Sequence, residues 1–265
     1  MQIEPFLKRI GIQSLPDAPL ERLQILHRAM TGIVPFENLA ILEGRMISLA
    51  LEAVFAKVVE EGRGGYCFEL NSLFAAVLES LGYTVERRIG RVWANGAPAP
   101  PLTHMTLRVT VEGQAYLCDV GFGGGGIREP LPWNMGAIAE QGPDSFRLEE
   151  TDNGEIMLTR PAGDAWKNLY SLLPCTVRPQ DYLPANHYTS NHPDSFFTQA
   201  PVAALTTPDG RITLRGRLFR RVGANGESER ELSGPEELFR VLAEDFGLSN
   251  LDEAALERRL SGLFE

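Results

Sequence analysis

The hydrophobic pattern of this chain changes its period about a third of the way along, from the spacing of helices to the alternation of strands. Residues 19–30, 49–60 and 68–81 carry apolar side chains at helical spacing, and Gly82 ends the last of these segments. Thr103 to Val111 instead alternates polar and apolar residues, which is typical of a half-buried strand. The pattern therefore predicts a helical unit followed by a β unit.

Turn-forming residues mark further strands in the second half. Phe146 to Leu148 and Ile156 to Leu158 flank Asn153-Gly154, the strongest short hairpin signal in the chain. Arg211 to Val222 is a further predicted strand. The proline-rich segment Ala97 to Pro101 is expected to be a loop between strands and not a boundary between domains.

The end of the chain returns to helical spacing, with Pro235 near the start of one helix and Ser249 as the expected cap of the next. Helices, then strands, then a mixed tail indicate an α+β fold. We expect an N-terminal helical bundle over residues 1–83, a central β-barrel or sandwich over 84–198, and a C-terminal α/β lid over 199–265.

Composition limits the classes of function. At 265 residues, with 43% hydrophobic and 23% charged residues, the chain has the content of an ordinary globular protein. Its net charge of −10 argues against nucleic acid or an anionic membrane as a partner, because either needs a clustered basic face. The start, MQIEPFLKRIGI, lacks the pattern of a secretory signal, and no apolar stretch approaches ~18 residues. We therefore expect a cytoplasmic protein without a membrane span.

The three cysteines, Cys67, Cys118 and Cys175, are odd in number, widely spaced and without a CxxC pair. This spacing argues against a disulfide framework and against a bound metal. Cys118 alternates away from Asp119 on a strand, so we interpret it as a core residue. Cys175 has no glycine context or polar partner nearby in sequence and is expected to be buried.

Cys67 stands in the stretch GRGGYCFELN, between a run of glycines and the start of a helical pattern. The N–H groups at a helix start lack intrahelical partners, and the helix dipole places partial positive charge there, which stabilises a thiolate. Gly64 and Gly65 would let a substrate approach the sulfur closely. A nucleophile and a buried space-filling cysteine are both compatible with this local pattern.

A thiolate that performs acyl chemistry usually needs a base, and the chain has four histidines: His27, His104, His187 and His192. His27 lies in an amphipathic helix and is expected to be a surface or boundary residue. His104 begins the polar face of the strand that ends at Val111. It is therefore the candidate for the base.

A hairpin turn at Glu112-Gly113 would place Thr106 opposite Asp119 and His104 opposite Gly121. Residues two apart on a strand share a face, so His104 and Asp119 would become diagonal neighbours with Cβ atoms ~7 Å apart. A register shift of one residue would instead turn Asp119 to the other face. A surface histidine with a turn aspartate is the alternative interpretation.

A glycine-rich segment, Val120 to Gly126, follows Asp119 directly. Successive N–H groups in such a loop can bind a phosphate or an oxyanion. The segment lacks the lysine and the Ser/Thr of a nucleotide P-loop. A flexible loop without a ligand is the alternative.

Taken together, these stretches resemble the arylamine N-acetyltransferase family. The resemblance rests on PFENL (35–39), RGGYCFELN (63–71), the strand that carries His104, DVGFGG (119–124) and NHYTSNHPDSFF (186–197). It covers about the first 200 residues, and no motif of the last third contributes to it.

The resemblance implies the same α+β fold, with a Cys-His-Asp triad at the junction of bundle and barrel. It implies an enzyme of xenobiotic metabolism that works by a ping-pong route. Cys67 would take the acetyl group of acetyl-CoA as a thioester, His104 would accept the thiol proton, and Asp119 would orient the imidazole. The nitrogen of an arylamine, hydrazine or arylhydroxylamine would then attack the thioester.

The resemblance also assigns binding and bracing roles. It assigns CoA contacts to Gly121, Phe122, Gly123, Gly124 and Phe196, and acceptor contacts to Phe36, Phe122 and Phe196. An ion pair between Arg63 and Glu37 would brace the catalytic loop. The chain departs from the family pattern in its four consecutive glycines and in Asn191, and His187 and His192 are not expected to be catalytic.

Two other classes of function share these features. A transglutaminase-like or protease-like cysteine enzyme, or an amide synthase that closes macrolactams, would use the same triad. A fold relative that only binds CoA or aromatic ligands would not need the triad. The sequence leaves the oligomeric state open, a homodimer included.

Overall fold

A computed structural model describes residues 2–93, 101–224 and 226–265. The eight α-helices of this part are α1 (Glu4–Arg9), α2 (Pro19–Ile33), α3 (Leu39–Leu42), α4 (Leu51–Phe55), α5 (Cys67–Ser80), α6 (Leu183–Asn191), α7 (Pro235–Phe246) and α8 (Glu253–Leu260). Helix α4 continues as a π-helical turn over Ala56–Glu60, and short 3₁₀ turns cover Pro179–Tyr182, Phe196–Thr198 and Ser261–Leu263. Most of the expected loop Ala97 to Pro101 lies outside the described residues.

The strands form two separate sheets. They are β1 (Phe36–Glu37), β2 (Thr84–Val92), β3 (His104–Val111), β4 (Gln114–Cys118), β5 (Leu131–Pro132), β6 (Ile138–Gln141), β7 (Asp144–Glu150), β8 (Ile156–Ala162), β9 (Ala165–Leu172), β10 (Val202–Thr207), β11 (Gly210–Arg215), β12 (Leu218–Gly223) and β13 (Gly226–Glu231). The α+β class that the sequence predicted is confirmed.

The helical part is built around α5. An amphipathic helix buries one stripe, whereas α5 buries residues on nearly its whole circumference, as expected for a helix at the centre of a core. Helix α2 packs its apolar stripe, Leu23, Leu26 and Met30, into the same core, and Pro19 occupies its first position, where no N–H is needed. The helices predicted over residues 19–30 and 68–81 are thus confirmed.

The larger sheet has eight antiparallel strands in the order β5-β4-β3-β2-β9-β8-β7-β6. Its two edge strands, β5 and β6, follow each other in the chain and are joined by residues 133–137 only. The short connection brings the two edges together, so the sheet closes into a nearly complete barrel. Strands β7 and β8 form the hairpin predicted around Asn153-Gly154, with Leu148 opposite Leu158.

The hairpin β3–β4 carries the residues at the centre of the site. Its register places Leu107 opposite Cys118 and Val111 opposite Gln114, which is the register that the sequence predicted. Glu112 and Gly113 have φ angles of 51° and 82°, so both central residues of the turn are left-handed, as a two-residue hairpin turn of type I′ requires. The turn geometry therefore sets the register of the whole hairpin.

The smaller sheet has the order β1-β10-β11-β12-β13 and is covered by α7. Strand β1 comes from the N-terminal segment, so the two ends of the chain share one sheet. The predicted single strand from Arg211 to Val222 was wrong: a turn at Gly216, whose φ is 60°, divides it into β11 and β12. A left-handed glycine allows this reversal, which the alternating pattern alone does not reveal.

The cap of the last helix also differs from expectation. Asp252, and not Ser249, precedes α8, and its Oδ1 accepts a hydrogen bond of 3.0 Å from the Ala255 N–H. An aspartate at this position satisfies a free N–H and also complements the helix dipole. No helix in the described part of the chain is both long and apolar enough to cross a membrane.

Candidate active site

Cys67 is the first residue of α5, where the sequence predicted it, and is 5% exposed. Glu69 closes the helix start by accepting a hydrogen bond of 3.1 Å from the Tyr66 N–H. The two preceding glycines are required by close contacts: a Cβ on Gly64 would overlap the Pro35 carbonyl, and one on Gly65 would lie 2.9 Å from Glu69 Oε2. The glycines therefore let the chain before Cys67 pack closely against Pro35 and Glu69.

His104 and Asp119 face each other beside this helix end. Nε2 of His104 lies 2.7 Å from Oδ2 of Asp119, and both residues are 2% exposed. Burial alone would lower the pKa of His104, but the Asp119 carboxylate and a hydrogen bond with the Cys67 thiol raise it to about 10. At neutral pH the imidazole is therefore protonated, with Nδ1 left to face the sulfur. The arrangement brings the three predicted residues together.

Asn71 holds the Asp119 carboxylate in place and was missed by the sequence interpretation. Its Nδ2 donates to Asp119 Oδ1 at 3.0 Å and to the Met105 carbonyl at 2.8 Å. The Gly121 N–H donates to the same Oδ1 at 2.9 Å. Burial would raise the pKa of Asp119, but His104 and these hydrogen bonds lower it. The position of Asn71, one helical turn after Cys67, was the available signal, because residues four apart share a helix face.

His27 was expected at the surface, and that prediction was wrong: it is fully buried. Its Nε2 accepts a hydrogen bond of 3.0 Å from the Asp119 N–H, and its Nδ1 donates to the Arg128 carbonyl at 2.9 Å. This pair of bonds requires a neutral ring, and burial lowers the pKa of His27 to about 4. The His27 side chain therefore holds the backbone of Asp119 in place.

We expect the acid sensitivity of the protein to depend on His27. A folded-state pKa of about 4 against 6.5 for a free histidine means that stability falls by about 3 kcal/mol as pH drops from 6.5 to 4. His27→Gln should be less stable at pH 7, because it loses a buried hydrogen bond, but should lose less stability on acidification. Urea unfolding between pH 4 and pH 7 measures this slope.

The matched control is His187→Gln, since His187 is exposed. That variant should keep the steep pH dependence of the original protein. An equal slope in His27→Gln and in the original protein would show that His27 does not titrate in this range.

Aromatic rings cover His104 on the barrel side. The ring centroid of Tyr170 lies 4.7 Å from that of His104, and the centroid of Phe122 lies 5.3 Å from it. Tyr170 and Phe122 are themselves 5.0 Å apart. Burial and the negative charge of Asp119 raise the pKa of Tyr170 well above its ordinary value, so its hydroxyl stays protonated. The rings of Tyr170 and Phe122 limit the access of water to the ion pair of His104 and Asp119.

The aromatic residues that the family resemblance assigned to the binding pockets lie in two separate groups in the structure. Phe36, Phe122 and Gly123 line one small cavity together with Asp119. Gly123 has a φ of 81°, and a Cβ there would lie 3.1 Å from the Phe36 ring, so the loop needs glycine at this point. Phe196 lies apart from this cavity, beneath the Arg215 guanidinium at 4.2 Å.

Phe197, to which the sequence interpretation gave no role, lies between the two groups. Its ring centroid is 6.0 Å from that of Phe36 and 5.9 Å from that of Tyr66. The double phenylalanine in the DSFF stretch was a signal for an aromatic wall. Which of the two rings faces the site depends on the 3₁₀ turn in which they stand.

The expected ion pair between Arg63 and Glu37 is present and belongs to a larger buried network. Arg63 Nε lies 3.5 Å from Glu37 Oε1, and Arg63 Nη1 lies 3.1 Å from Glu43 Oε1. Lys57 binds Glu69 at 2.8 Å, and Glu69 is the residue that closes the start of α5. Charges that are buried need such pairing. The network therefore links the loop before Cys67 to the helix that Cys67 begins.

The remaining cysteines and histidines have no part in the cluster around Cys67. Cys118 is fully buried, as expected for a core residue. Cys175 is exposed, and the prediction that it is buried was wrong, because Cys175 lies past Leu172, the last residue of β9. His187 lies within α6 and His192 directly follows it, and both are exposed. Within the described residues, no cluster of His, Cys, Asp or Glu has the arrangement of a metal site.

Comparisons with known proteins agree with this geometry. A family model described as N-acetyltransferase matches residues 19–255. The chain is 37% identical to an arylamine N-acetyltransferase of Mycobacterium tuberculosis over 99% of this chain and 96% of the relative. It is 33% identical to an arylamine N-acetyltransferase / N-hydroxyarylamine O-acetyltransferase of Salmonella typhimurium, over 93% and 88% of the two chains.

Solved structures are similar over the full length. The arylamine N-acetyltransferase of Mycobacterium marinum in complex with CoA superposes with a TM-score of 0.92 at 33% identity, covering 99% of each chain. The enzyme from M. tuberculosis superposes with a TM-score of 0.92 at 35% identity, covering 100% of each chain. The likeness includes the C-terminal third, where the sequence carried no recognisable motif.

Proposed function

Because this chain belongs to the arylamine N-acetyltransferase family, a family of acyltransferases, we propose that it transfers acetyl groups through a thioester on Cys67. The donor is acetyl-CoA, and the acceptor is the nitrogen of an arylamine, hydrazine or arylhydroxylamine. The observation that carries the proposal is the buried contact of His104 with Asp119 beside the Cys67 sulfur. A protonated imidazole held next to a sulfur favours the thiolate, which is the nucleophile.

The first half of the reaction loads the enzyme. The Cys67 thiolate attacks the acetyl carbonyl carbon, and the bond from this carbon to the CoA sulfur breaks. His104 gives its Nδ1 proton to the leaving sulfur, so CoA departs as a thiol and His104 becomes neutral. Asp119 keeps Nε2 protonated and the ring oriented throughout.

The second half delivers the acetyl group. The acceptor nitrogen attacks the thioester carbon, His104 takes the proton from this nitrogen, and the carbon–sulfur bond to Cys67 breaks. The products are the acetylated amine and the original thiolate–imidazolium pair. The Phe122 ring lies against His104 and suits an aromatic acceptor, and Phe36, Phe122 and Phe196 are the proposed contacts.

The glycine loop fits a CoA arm. A Cβ on Gly121 would lie 2.7 Å from the Cys67 Cα and 2.8 Å from Asn71 Nδ2, so the loop packs directly against the backbone of Cys67. Side chains at Gly121, Gly123 or Gly124 would crowd Cys67, Phe36 or Thr213, so the course of this loop requires glycine. We assign the donor contacts to these glycines with Phe122 and Phe196.

The test is the covalent intermediate. Incubation with acetyl-CoA, without an acceptor, should add one acetyl group to the protein, and peptide mapping should place it on Cys67. Addition of an arylamine should then remove it and yield the acetylated amine. Turnover without any acetylated Cys67 under single-turnover conditions would contradict the ping-pong route.

The exposed thiol of Cys175 provides the control. This thiol can react with acetyl-CoA without catalysis. Cys175→Ala should therefore lose any slowly formed second acetyl adduct and keep the rapidly formed adduct on Cys67. Hydrolysis of the adduct at the same rate with and without amine would point to a hydrolase. A preference for carrier-bound chains over free acetyl-CoA would point to an amide synthase.

A further inference from the structure

Three arginines gather around one carboxylate where the barrel meets the smaller sheet. Arg211 Nη1 lies 3.1 Å from Asp144 Oδ1, Arg128 Nε lies 3.6 Å from Asp144 Oδ2, and Arg160 Nη1 lies 3.8 Å from Asp144 Oδ1. We call these four residues the arginine cluster. Arg128 comes from the loop after Asp119, Arg160 from β8 and Arg211 from β11, so three separate parts of the chain meet here.

The arginine cluster carries an uncompensated positive charge. Three guanidinium groups share a single carboxylate, which leaves an excess of two positive charges in a chain whose net charge is −10. Burial lowers the pKa of Arg160, and the neighbouring charge of Arg211 lowers it further. Bringing like charges together is unfavourable unless an anion joins them.

Several nitrogens of the arginine cluster lack an acceptor. Among the described residues, Arg160 Nε, Arg160 Nη1 and Arg128 Nε are buried and have no hydrogen-bond partner. An unsatisfied buried donor is costly, and a charged one more so. The Arg160 side chain as a whole is 24% exposed, so another part of it borders solvent. Phosphate oxygens are the acceptors that suit a guanidinium fork best.

The glycine loop connects the arginine cluster to the thiol. Gly121 packs on Cys67, whereas a Cβ on Gly125 would lie 3.3 Å from Arg160 Nη1. A Cβ on Gly124 would overlap Thr213, which shares a face of β11 with Arg211. Four residues of chain span at most about 14 Å, so the arginine cluster lies within reach of a ligand whose sulfur is at Cys67.

This path explains the run of four glycines. A Cβ on Gly125 would lie against Arg160 of the arginine cluster, and one on Gly124 would collide with Thr213. From Gly123 to Gly126 the loop carries no side chains, so none from this segment covers the arginine cluster.

We propose that the arginine cluster binds phosphate groups of the CoA donor, with Arg160 as the principal contact. This inference rests on the proposed function, because a CoA donor carries its reactive sulfur and its phosphates at the two ends of one chain. The shared chemistry is phosphate, and it can come from the pyrophosphate, from the 3′-phosphate or from free inorganic phosphate.

Calorimetric binding of three ligands tests the proposal: CoA, dephospho-CoA and pantetheine. Arg160→Gln should weaken CoA binding by about tenfold or more, the effect of losing a charged hydrogen bond, and should leave pantetheine binding unchanged. If Arg160→Gln lowers the affinity for CoA alone, Arg160 contacts the 3′-phosphate. If it lowers the affinity for both CoA and dephospho-CoA, Arg160 contacts the pyrophosphate. An equal loss for pantetheine would overturn the proposal.

The control for charge is Arg221→Gln. Arg221 is exposed on β12 and pairs with Asp245 at 2.6 Å, away from the arginine cluster. Arg221→Gln removes one positive charge, as Arg160→Gln does, but leaves the arginine cluster intact, so CoA binding should not change. Equal weakening by both variants would mean that CoA responds to net charge and not to the arginine cluster.

Asp144→Asn should change the affinity for CoA in the opposite direction. Removing the carboxylate that competes for the guanidinium groups should tighten CoA binding severalfold. If the arginine cluster only holds the two sheets together, Asp144→Asn and Arg160→Gln should weaken binding alike, which would overturn the proposal.

A measurement on the original protein covers the case in which a variant fails to fold. Inorganic phosphate at millimolar concentration should compete with CoA and should not affect pantetheine. Absence of this competition would contradict the proposal without any variant. The two proposals fail differently: no acetylated Cys67 refutes acetyl transfer, whereas normal loading with unchanged CoA affinity in Arg160→Gln refutes only the arginine cluster.

Discussion

Replacing Cys67 with serine should lower acetyl transfer by about 10⁴-fold or more and leave the fold intact. A hydroxyl has nearly the shape of the thiol, so the core around the start of α5 is not disturbed. The same imidazolium that stabilises a thiolate cannot produce an alkoxide at neutral pH, because the hydroxyl is a far weaker acid. Steady-state transfer from acetyl-CoA to an arylamine, together with circular dichroism, measures both parts of this prediction.

The other two cysteines are the controls for this variant. Cys118 is fully buried in the core, so Cys118→Ala should cost stability by leaving a small cavity and should not change the rate per folded molecule. Cys175 is exposed, so Cys175→Ala should change neither the stability nor the rate per folded molecule. Near-normal transfer by Cys67→Ser would remove Cys67 from the mechanism.

Replacing Asp119 with asparagine should slow the acetylation of Cys67 by at least ~10²-fold. The amide keeps the shape of the side chain but removes the charge that raises the pKa of His104 to about 10. Without it, burial favours the neutral imidazole, and the positive partner of the thiolate is lost. Pre-steady-state release of CoA measures the step, and alkylation by iodoacetamide should slow at neutral pH as well.

The stability of this variant has a predicted pH dependence. A folded pKa above the free value of 6.5 means that protonated His104 contributes stability fully below pH 6.5, and that this contribution is lost as pH rises through about 10. The stability gap between the original protein and Asp119→Asn should therefore be largest below pH 6.5 and narrow toward pH 10. A gap that stays constant would mean that His104 is not the partner of Asp119.

Arg108→Ala is the matched control for Asp119→Asn. Arg108 lies on the same strand as His104 and pairs with Glu86 on the barrel surface, with its side chain 29% exposed. Its loss should leave the acetylation rate nearly unchanged. Equal damage from both variants would assign Asp119 a structural role only.

The local order of the chain could be predicted from the sequence. The period of the apolar residues located α2, α5 and β3 to within a few residues, because burial of one face is a local requirement. The Glu112-Gly113 turn located the register of β3 and β4, since a two-residue turn leaves only one pairing. That register placed His104 beside Asp119, and the helix start placed Cys67. These predictions depended on neighbours in sequence.

Only the tertiary structure decided which polar groups are buried and what they contact. His27 lies on an ordinary amphipathic helix, and its ring is buried against Phe74, the Asp119 backbone and the Arg128 carbonyl. Cys175 is exposed because it lies past the end of β9. Asn71, Asp144 and Arg160 found partners from distant segments, and no period or spacing encodes such a meeting. A side chain is buried or paired by whatever packs against it, and that surface is supplied by parts of the chain far away in sequence.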